Sequence, residues 1–129
     1  MSEENVALVL RGLDAINTGD TDAMVQAADP EIRFVPRRAP VMGAYVGHDG
    51  MREFISDNQE NLEVFRVTPD EVIDAGDRVV IIGTLLVRGR GSGIEMSFPT
   101  ATVTTVRNGR IVHFEEFVER DRAIAAAGL

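Results

Sequence analysis

Apolar residues in the first part of the chain recur at helical spacing. They lie three or four positions apart: Val6, Val9, Leu10, Leu13 and Ile16. This period is typical of one face of an amphipathic helix, and Gly19 marks its end. The chain is therefore predicted to begin with a helix that packs on a core.

A second, shorter helix is predicted directly afterwards. Asp20 is a suitable N-cap residue, because its side chain can accept a hydrogen bond from the first helical turn. The helix must end near Asp29, since Pro30 disfavours helical geometry in the residue before it. Its apolar residues are Met24, Val25 and Ala28. The two helices are expected to form a hairpin.

The next segment alternates between strand, loop and helix signals. Ile32, Phe34 and then Pro36 indicate a brief strand. The stretch RRAPVMGAYVGHDG, residues 37–50, is rich in proline and glycine and is predicted to be a loop that edges a pocket. Helical spacing then returns in Met51, Phe54, Ile55, Asn58 and Leu62. A third helix of about three turns is predicted from Met51.

The second half of the chain has the pattern of β-strands. Residues 64–67 and 72–73 are predicted strands, and RVVIIGTLLV, residues 78–87, is apolar on both faces, which indicates a central strand covered on both sides. The turn signals are DAGD at 74–77, RGRGSG at 88–93 and RNG at 107–109. A short terminal helix is predicted at 123–129. Helices followed by a meander of antiparallel strands indicate an α+β fold.

The last strand, RIVHFEEFVERD at 110–121, contains two adjacent glutamates. Alternation divides it into one face with Val112, Phe114, Glu116 and Val118, and another with Ile111, His113, Glu115 and Phe117. A carboxylate surrounded by valine and phenylalanine is costly to ionise, so Glu116 is a candidate proton donor or acceptor near neutral pH. The structural alternative is an ion pair with one of the thirteen arginines, or a strand end that reaches water.

Other polar residues are weaker candidates. Thr100, Thr102 and Thr104 alternate along SFPTATVTTV and either hydrogen-bond a ligand or Glu116, or are present as good strand formers. Tyr45 could close a cavity with its ring, or simply pack in the core. His48 is a candidate pocket residue, or a capping residue.

Two further patterns favour ordinary structural roles. The glycine-rich GRGSG at 89–93 joins strand to strand and is predicted to be a hairpin turn instead of a phosphate loop. The pair Arg37 and Arg38 could attract an anion, although an exposed basic pair usually faces water. The two histidines, His48 and His113, form no ligand cluster, so no metal site is expected.

Composition narrows the class of protein. A chain of 129 residues with 44% hydrophobic content suits one domain, 1–129. The absence of cysteine excludes disulfides and thiol nucleophiles, and no cofactor is expected. A formal net charge of −8 disfavours nucleic acid as a partner. No signal peptide or membrane span is apparent, which indicates a cytoplasmic protein, and the exclusive use of arginine as the basic residue suggests a GC-rich bacterial genome.

Several motifs in this order resemble the SnoaL-like branch of the nuclear-transport-factor-2-like superfamily. They cover most of the chain: NTGDTDAMVQAADPEIRF, YVGHDGMREF, DAGDRVVIIG, GRGSGIE and VRNGRIVHFEEFVERDRAIAAAGL. The resemblance implies a curved antiparallel sheet forming a cone around a pocket, closed by three helices from the N-terminal half. It implies that Val112, Phe114, Glu116 and Val118 look inward, and that the outer sheet face forms a homodimer.

The resemblance includes ketosteroid isomerases, polyketide cyclases, limonene epoxide hydrolases and dehydratases, but their catalytic sets do not transfer. The tyrosine and two aspartates of the isomerases are matched here by Gly12, Val35 or a neighbour, and Thr102. Glu116 matches the last aspartate of the hydrolases, whereas Gly83 and Leu85 stand where their arginine and other aspartate would be.

Two functions are therefore compatible with the sequence. One is an isomerase, cyclase, dehydratase or hydrolase in which Glu116 transfers a proton on a hydrophobic metabolite. The other is a non-catalytic ligand-binding or association domain in which Glu116 is a structural acid. The expected substrate-binding residues are Phe34, Tyr45, His48, Phe54, Phe98, Thr100, Thr102 and Phe114.

Overall fold

A computed structural model of the chain describes residues 2–37 and 39–129. Its first half contains α1 (Ser2–Thr18), α2 (Thr21–Ala27), β1 (Ala28–Val35), α3 (Ala39–Met42), β2 (Tyr45–Val46) and α4 (Gly47–Asn61). Its second half contains β3 (Leu62–Ala75), β4 (Arg78–Gly89), β5 (Glu95–Arg107), β6 (Arg110–Phe117) and α5 (Arg120–Ala126). None of the helices in these described ranges is long and apolar enough to cross a membrane.

The six strands form one curved sheet in the order β2-β1-β6-β5-β4-β3. The last four strands are a meander of antiparallel neighbours, joined by the predicted turns. β1 pairs with β6 in parallel, so the sheet is antiparallel except at this one pairing. The α+β class and the curved sheet are confirmed.

The N-terminal helices follow the predicted pattern closely. Val9 and Ile16 of α1 are buried, as predicted for its apolar face, whereas Leu10 of the predicted face is exposed and Leu8, which was not assigned to it, is buried. The predicted N-cap of α2 is confirmed, because the Asp20 carboxylate accepts a hydrogen bond of 3.1 Å from the Ala23 amide. The helix ends slightly earlier than predicted: Ala28 has extended geometry and begins β1.

The loop predicted at 37–50 is partly wrong. It contains the single turn α3, which accommodates Pro40 because the first turn of a helix needs no amide donor there. It also contains β2, and α4 begins at Gly47, before the predicted start at Met51. Gly47 has φ +74°, a conformation open to glycine, which allows the chain to turn from strand into helix. Among the described residues, the N-terminal half thus contains the single-turn α3 in addition to the three predicted helices.

The predicted strands at 64–67 and 72–73 are one long strand, β3, with a break in its pairing between Pro69 and Glu71. A proline is tolerated in this position because β3 lies at the edge of the sheet. The strand is held against α1 by Asn17, whose side chain donates to the carbonyl of Val67 at 2.9 Å and accepts from its amide at 2.9 Å. Asn17 thus fixes the edge of the sheet beside the helices.

Replacement of Asn17 by alanine is expected to lower the free energy of unfolding by about 2 kcal/mol, because two main-chain groups of a partly buried strand lose their partner. Asn5→Ala is the control, since Asn5 donates a single exposed hydrogen bond to Gly76. Urea unfolding measures both variants. Equal losses would contradict the role given to Asn17.

The core lies between the helices and the concave face of the sheet, where Phe34, Met24, Ile32 and Met51 are fully buried. A smaller cluster on the outer face contains Val80, Val103 and Ala123, because α5 packs there. The run at 78–87 is apolar on both faces for this reason: Val79 and Ile81 belong to the inner cluster and Val80 to the outer one. The predicted central strand, covered on both sides, is confirmed.

Candidate functional site

A cavity of about 210 Å³ lies between the helices and the concave face of the sheet. Four phenylalanines contribute to its wall: Phe34, Phe54, Phe65 and Phe114. Leu13 and Ile16 of α1 and Leu85 of β4 add aliphatic surface. Its polar lining residues are Arg37, Thr100, Thr102 and Glu116. The cavity is thus largely apolar, and its polar residues come from β5, β6 and the turn that follows β1.

The phenylalanines pack against one another and give the cavity a stiff wall. The rings of Phe34 and Phe114 are stacked with centroids 4.2 Å apart, and Phe34 meets Phe54 at 4.5 Å. Phe54 in turn contacts Phe65 edge-on at 6.1 Å. Aromatic pairs of this geometry stabilise each other beyond their buried area. Since the rings come from β1, α4, β3 and β6, they also tie the helices to the sheet.

Glu116 faces the cavity, and three donors converge on its carboxylate. The Arg37 main-chain amide donates to Oε1 at 3.0 Å, the Arg37 Nε donates to Oε2 at 3.1 Å, and the Thr100 hydroxyl donates to Oε2 at 2.7 Å. The Glu116 side chain is 11% exposed and that of Arg37 is 30% exposed. Of the alternatives considered for Glu116, the structure therefore contains the ion pair with an arginine.

Arg37 bridges the edge of the cavity. Its Nη2 donates to the carbonyl of Pro99 at 2.7 Å, and its guanidinium lies over the Phe98 ring with Cζ 5.2 Å from the centroid. These contacts connect the end of β1 to β5 across Glu116. The guanidinium is consequently held in place by a carboxylate, a carbonyl and an aromatic ring together.

The inward-facing residues of β6 differ in part from the prediction. Phe114 and Glu116 line the cavity as expected, but Val112 lies on the outer face and Ile111 is buried in the inner core. The pairing of β5 with β6 shifts between Thr105 and Val106, and such a bulge reverses the alternation on one side of it. Val118 lies beyond the end of the strand and is 61% exposed. The expectation that Val112 and Val118 look inward is wrong.

The threonines of β5 lie in a row on the concave face. Thr100 binds Glu116, and Thr102 also lines the main cavity. Thr102 and Thr104 border a smaller space of about 20 Å³ further inside, beside Gly12 of α1. All three threonines are buried.

Other predicted pocket residues lie outside the cavity lining. Tyr45 packs edge-on against Phe54 at 5.4 Å and donates its hydroxyl to Asp57 at 2.9 Å. His48 Nε2 lies 2.9 Å from the carbonyl oxygen of Ala28, to which it donates. Phe98 does not line the cavity, but its ring lies under the guanidinium of Arg37, which does. Arg38, the other member of the basic pair, lies outside the described residues.

Several lining residues were not singled out from the sequence. Leu13 and Ile16 were recognised as the apolar face of α1, and Phe65 and Leu85 as strand residues, but none as cavity wall. No local pattern distinguishes an apolar side chain that fills a core from one that borders an empty volume. Arg37 was noted only as half of a basic pair, because its glutamate partner is 79 positions away in sequence.

A wider, open hollow of about 640 Å³ lies on the outer face of the sheet. It is lined by charged residues of both signs, including Glu31, Arg78 and Glu115. His113 lies 3.4 Å from Glu115 there. Because this hollow is mainly polar, it lacks the apolar lining expected of a site for an apolar ligand. The homodimer through this face stays a prediction.

The arginines whose pKa is raised lie away from the cavity. A hydrogen bond to Glu95 raises the pKa of Arg88, and a hydrogen bond to Glu71 raises that of Arg120. Both pairs lie on the protein surface, so they have no direct contact with the cavity or with Glu116.

The curved sheet, the helices over its concave face and the cavity between them define a nuclear-transport-factor-2-like fold. The SnoaL-like domain family matches residues 9–114, and the chain belongs to this family. The resemblance inferred from the motifs is thereby confirmed.

Solved structures with the same fold include two from Burkholderia. An NTF2-like protein of unknown function from Burkholderia pseudomallei K96243 is 26% identical, with a TM-score of 0.79 and 98% of each chain covered. An NTF2-like protein from Burkholderia thailandensis E264 is 27% identical, with a TM-score of 0.78 and 97% of each chain covered. TerC, co-crystallised with polyporic acid, is 22% identical, with a TM-score of 0.78 over 98% of this chain and 99% of its own. No curated protein matches the chain.

Proposed function

We propose that this protein binds a small, largely apolar molecule in the cavity between the helices and the sheet. The observation that carries the proposal is a partly open volume of about 210 Å³ with a phenylalanine wall and a polar cluster at Glu116. Sites for small molecules typically combine apolar walls with a few convergent polar groups. The presence of polyporic acid in the crystals of TerC, which shares the fold, adds support.

The cavity volume limits the size of the ligand. An apolar cavity of about 150 Å³ is large enough to hold benzene. A volume of about 210 Å³ therefore suits a flat molecule of one or two rings. The polar atoms of Arg37, Thr100 and Glu116 occupy one side of this volume, so the ligand has room for a polar group there.

Proton transfer by Glu116 is a second candidate function. From the residues that the structure describes, its Oε1 accepts one hydrogen bond, donated by the Arg37 amide, whereas Oε2 accepts two. A carboxylate oxygen has about two acceptor positions, so with respect to these residues Oε1 retains one for a ligand proton. A convergent set of donors that fixes an acid on a cavity wall is the arrangement expected of a catalytic group. The reaction would be of isomerase, cyclase, dehydratase or hydrolase type.

The binding proposal is tested by filling the cavity. Leu85→Phe is expected to weaken binding of 2-naphthol, a fluorescent two-ring probe, by at least about ten-fold, because the larger ring occupies the space that the probe needs. Leu86→Phe, the same change at the adjacent position that does not line the cavity, is the control and is expected to bind as the wild type does. Fluorescence titration measures both.

Equal affinity of the wild type and the Leu85→Phe variant would place the probe outside the cavity and overturn the proposal. Native mass spectrometry of the purified protein gives an independent readout, since a retained small molecule adds its mass to that of the chain. A thermal-shift screen against hydrophobic metabolites then ranks candidates, because a ligand of the native state raises the unfolding temperature by mass action.

A further inference from the structure

The concave face of the β4–β5 hairpin continues beyond the cavity. Leu85 and Val87 of β4 line the cavity, and Met96 of β5 is paired with Val87. Residues directly opposite each other in an antiparallel pair point to the same face, with their Cβ atoms about 5 Å apart. Met96 therefore lies on the concave face beside the cavity wall, although it does not line the cavity itself.

The exposed fraction of this face rises towards the end of the hairpin. Leu85 is buried and Val87 is half-buried, whereas Met96 is 50% exposed. Ile94, at the turn beyond Met96, is 64% exposed. Val87, Met96 and Ile94 form what we call the mouth strip, an apolar path from the cavity wall to solvent. A contiguous exposed apolar patch, unlike a single exposed residue, indicates a binding surface.

The other face of the same hairpin is polar and internally paired. Successive residues of a strand alternate between faces, so Arg88 and Glu95 lie on the outer face. Arg88 Nη2 donates to Glu95 Oε1 at 2.6 Å, and Arg88 Nη1 lies 4.0 Å from Glu63 Oε1. The end of the hairpin thus has one face of paired charges and one face of exposed apolar side chains.

The hairpin is held in place at the mouth of the cavity by Arg90. Its main-chain amide donates to the carbonyl of Asn61 at 3.0 Å, its Nε to that of Gln59 at 2.9 Å and its Nη2 to that of Leu62 at 3.2 Å. These contacts join the turn of the hairpin to the end of α4. A surface that is fixed before binding loses little freedom when a ligand covers it.

The small area of the mouth strip limits what can cover it. A stable protein interface takes roughly 800 Å² from each partner, whereas a large side chain has roughly 200 Å² of surface in all. Three partly exposed side chains are therefore too few to hold a second protein chain. The formal net charge of −8 opposes attachment to an anionic membrane. A molecule already held in the cavity can reach the strip directly, because Val87 belongs to both.

We propose that the mouth strip holds an alkyl tail of the same ligand whose rings occupy the cavity. The inference rests on the proposed binding function and deepens it by naming the ligand class, which is one or two rings with an unbranched alkyl chain. Alternate residues of a strand lie about 7 Å apart, which is the length of a chain of about six carbons. Met96, in the middle of the strip, determines the preference for a tail.

The experiment compares two fluorescent probes, 2-naphthol and 6-hexyl-2-naphthol, by titration. The readout is the gain in affinity that the hexyl chain brings. In the wild type this gain is expected to be at least about ten-fold, since each methylene removed from water adds up to about four-fold. Met96→Gln keeps the length of the side chain but makes it polar, and is expected to lower the gain about five-fold while 2-naphthol binds as before.

Two further variants serve as controls. Met96→Leu keeps an apolar side chain and is expected to keep the gain. Val72→Thr places a polar group at another exposed apolar position of the sheet, and is expected to leave the gain unchanged. Val72 is paired with Ile81, six positions along β4 from Val87 and thus about 20 Å from the mouth strip. Circular dichroism checks that each variant is folded.

The outcomes separate the inference from the function on which it rests. Binding of both probes with the same gain in Met96→Gln as in the wild type would overturn the role of the mouth strip and leave the cavity as the binding site. An equal loss of gain in Val72→Thr would also overturn it, since the effect would not depend on position. Failure of both probes to bind the wild type would overturn both proposals.

Two measurements without a probe test other occupants of the mouth strip. Sedimentation velocity is expected to be the same for the wild type and Met96→Gln; a dimer that the substitution dissociates would assign the strip to a second copy and overturn the inference. The protein is also expected to stay in the supernatant when phosphatidylcholine vesicles are pelleted. Pelleting that is lost in Met96→Gln would assign the strip to a lipid surface and would likewise overturn it.

Discussion

Gly83→Ala is expected to lower the free energy of unfolding by about 3 kcal/mol or more, which is a large part of the stability of a domain. A Cβ at position 83 would collide with the carbonyl oxygen of Thr68 and would lie 3.0 Å from its carbonyl carbon and 3.2 Å from Pro69 Cα. These are main-chain atoms of β3 and cannot rotate away. The alanine would therefore push β3 from β4 at the place where their pairing becomes irregular, which distorts the sheet beside the cavity.

Gly89→Ala is the control on the same strand. A Cβ at position 89 would meet the side chain of Ser92, which can turn aside, so a change within about 1 kcal/mol is expected. Chemical denaturation of both variants, followed by circular dichroism, measures the difference. A Gly83→Ala variant as stable as Gly89→Ala would contradict the close approach of β3 to β4.

Glu116→Gln is expected to reduce proton transfer by about 10²-fold to 10⁴-fold if Glu116 acts as an acid or base, while the chain stays folded. Glutamine keeps the shape of the side chain, and its amide oxygen still accepts from Arg37 or Thr100, but it cannot take up a proton. A suitable probe is 2-tetralone, a two-ring ketone whose protons beside the carbonyl exchange in heavy water. Deuterium incorporation above the uncatalysed rate, measured by mass spectrometry, reports the transfer.

Glu115→Gln provides a matched control, because Glu115 is adjacent in sequence but borders the outer hollow beside His113. Its exchange rate is expected to equal that of the wild type. A Glu116→Gln variant that exchanges 2-tetralone as fast as the wild type would remove Glu116 from catalysis. The second candidate function would then fail, and the proposal of ligand binding would stand with Glu116 as the anchor of Arg37.

Local patterns predicted most of the secondary structure. The spacing of Leu13 and Ile16 in α1, the N-cap at Asp20 and the doubly apolar run of β4 each depend on neighbours within a few positions. The segment at 37–50 was less predictable, because its proline and glycine residues are compatible with a loop, with the turn of α3 and with the start of α4 at Gly47. In the folded chain, packing against β1 and α4 decides which of these three structures each part of the segment adopts.

The candidate site was predictable in part. Alternation along β6 placed Phe114 and Glu116 on the concave face, and that placement holds because both lie on the same side of the bulge. Val112 lies on the other side of the bulge, so alternation assigned it to the wrong face. The bulge is a shift in the pairing of β5 with β6, and the sequence of β6 alone does not show it. From the sequence, any of thirteen arginines was a possible partner of Glu116. In the fold, β1 lies beside β6, and this pairing brings Arg37, just after the end of β1, next to Glu116.

The sequence by itself determined most of the order of helices and strands and an acid set among apolar residues on the last strand, because the hydrophobic period is a property of neighbouring positions. The tertiary structure alone decided that Glu116 pairs with Arg37 and that a volume of about 210 Å³ stays open. These features depend on contacts between residues far apart in the chain. Such contacts exist only once the sheet has curved and the helices have closed over it.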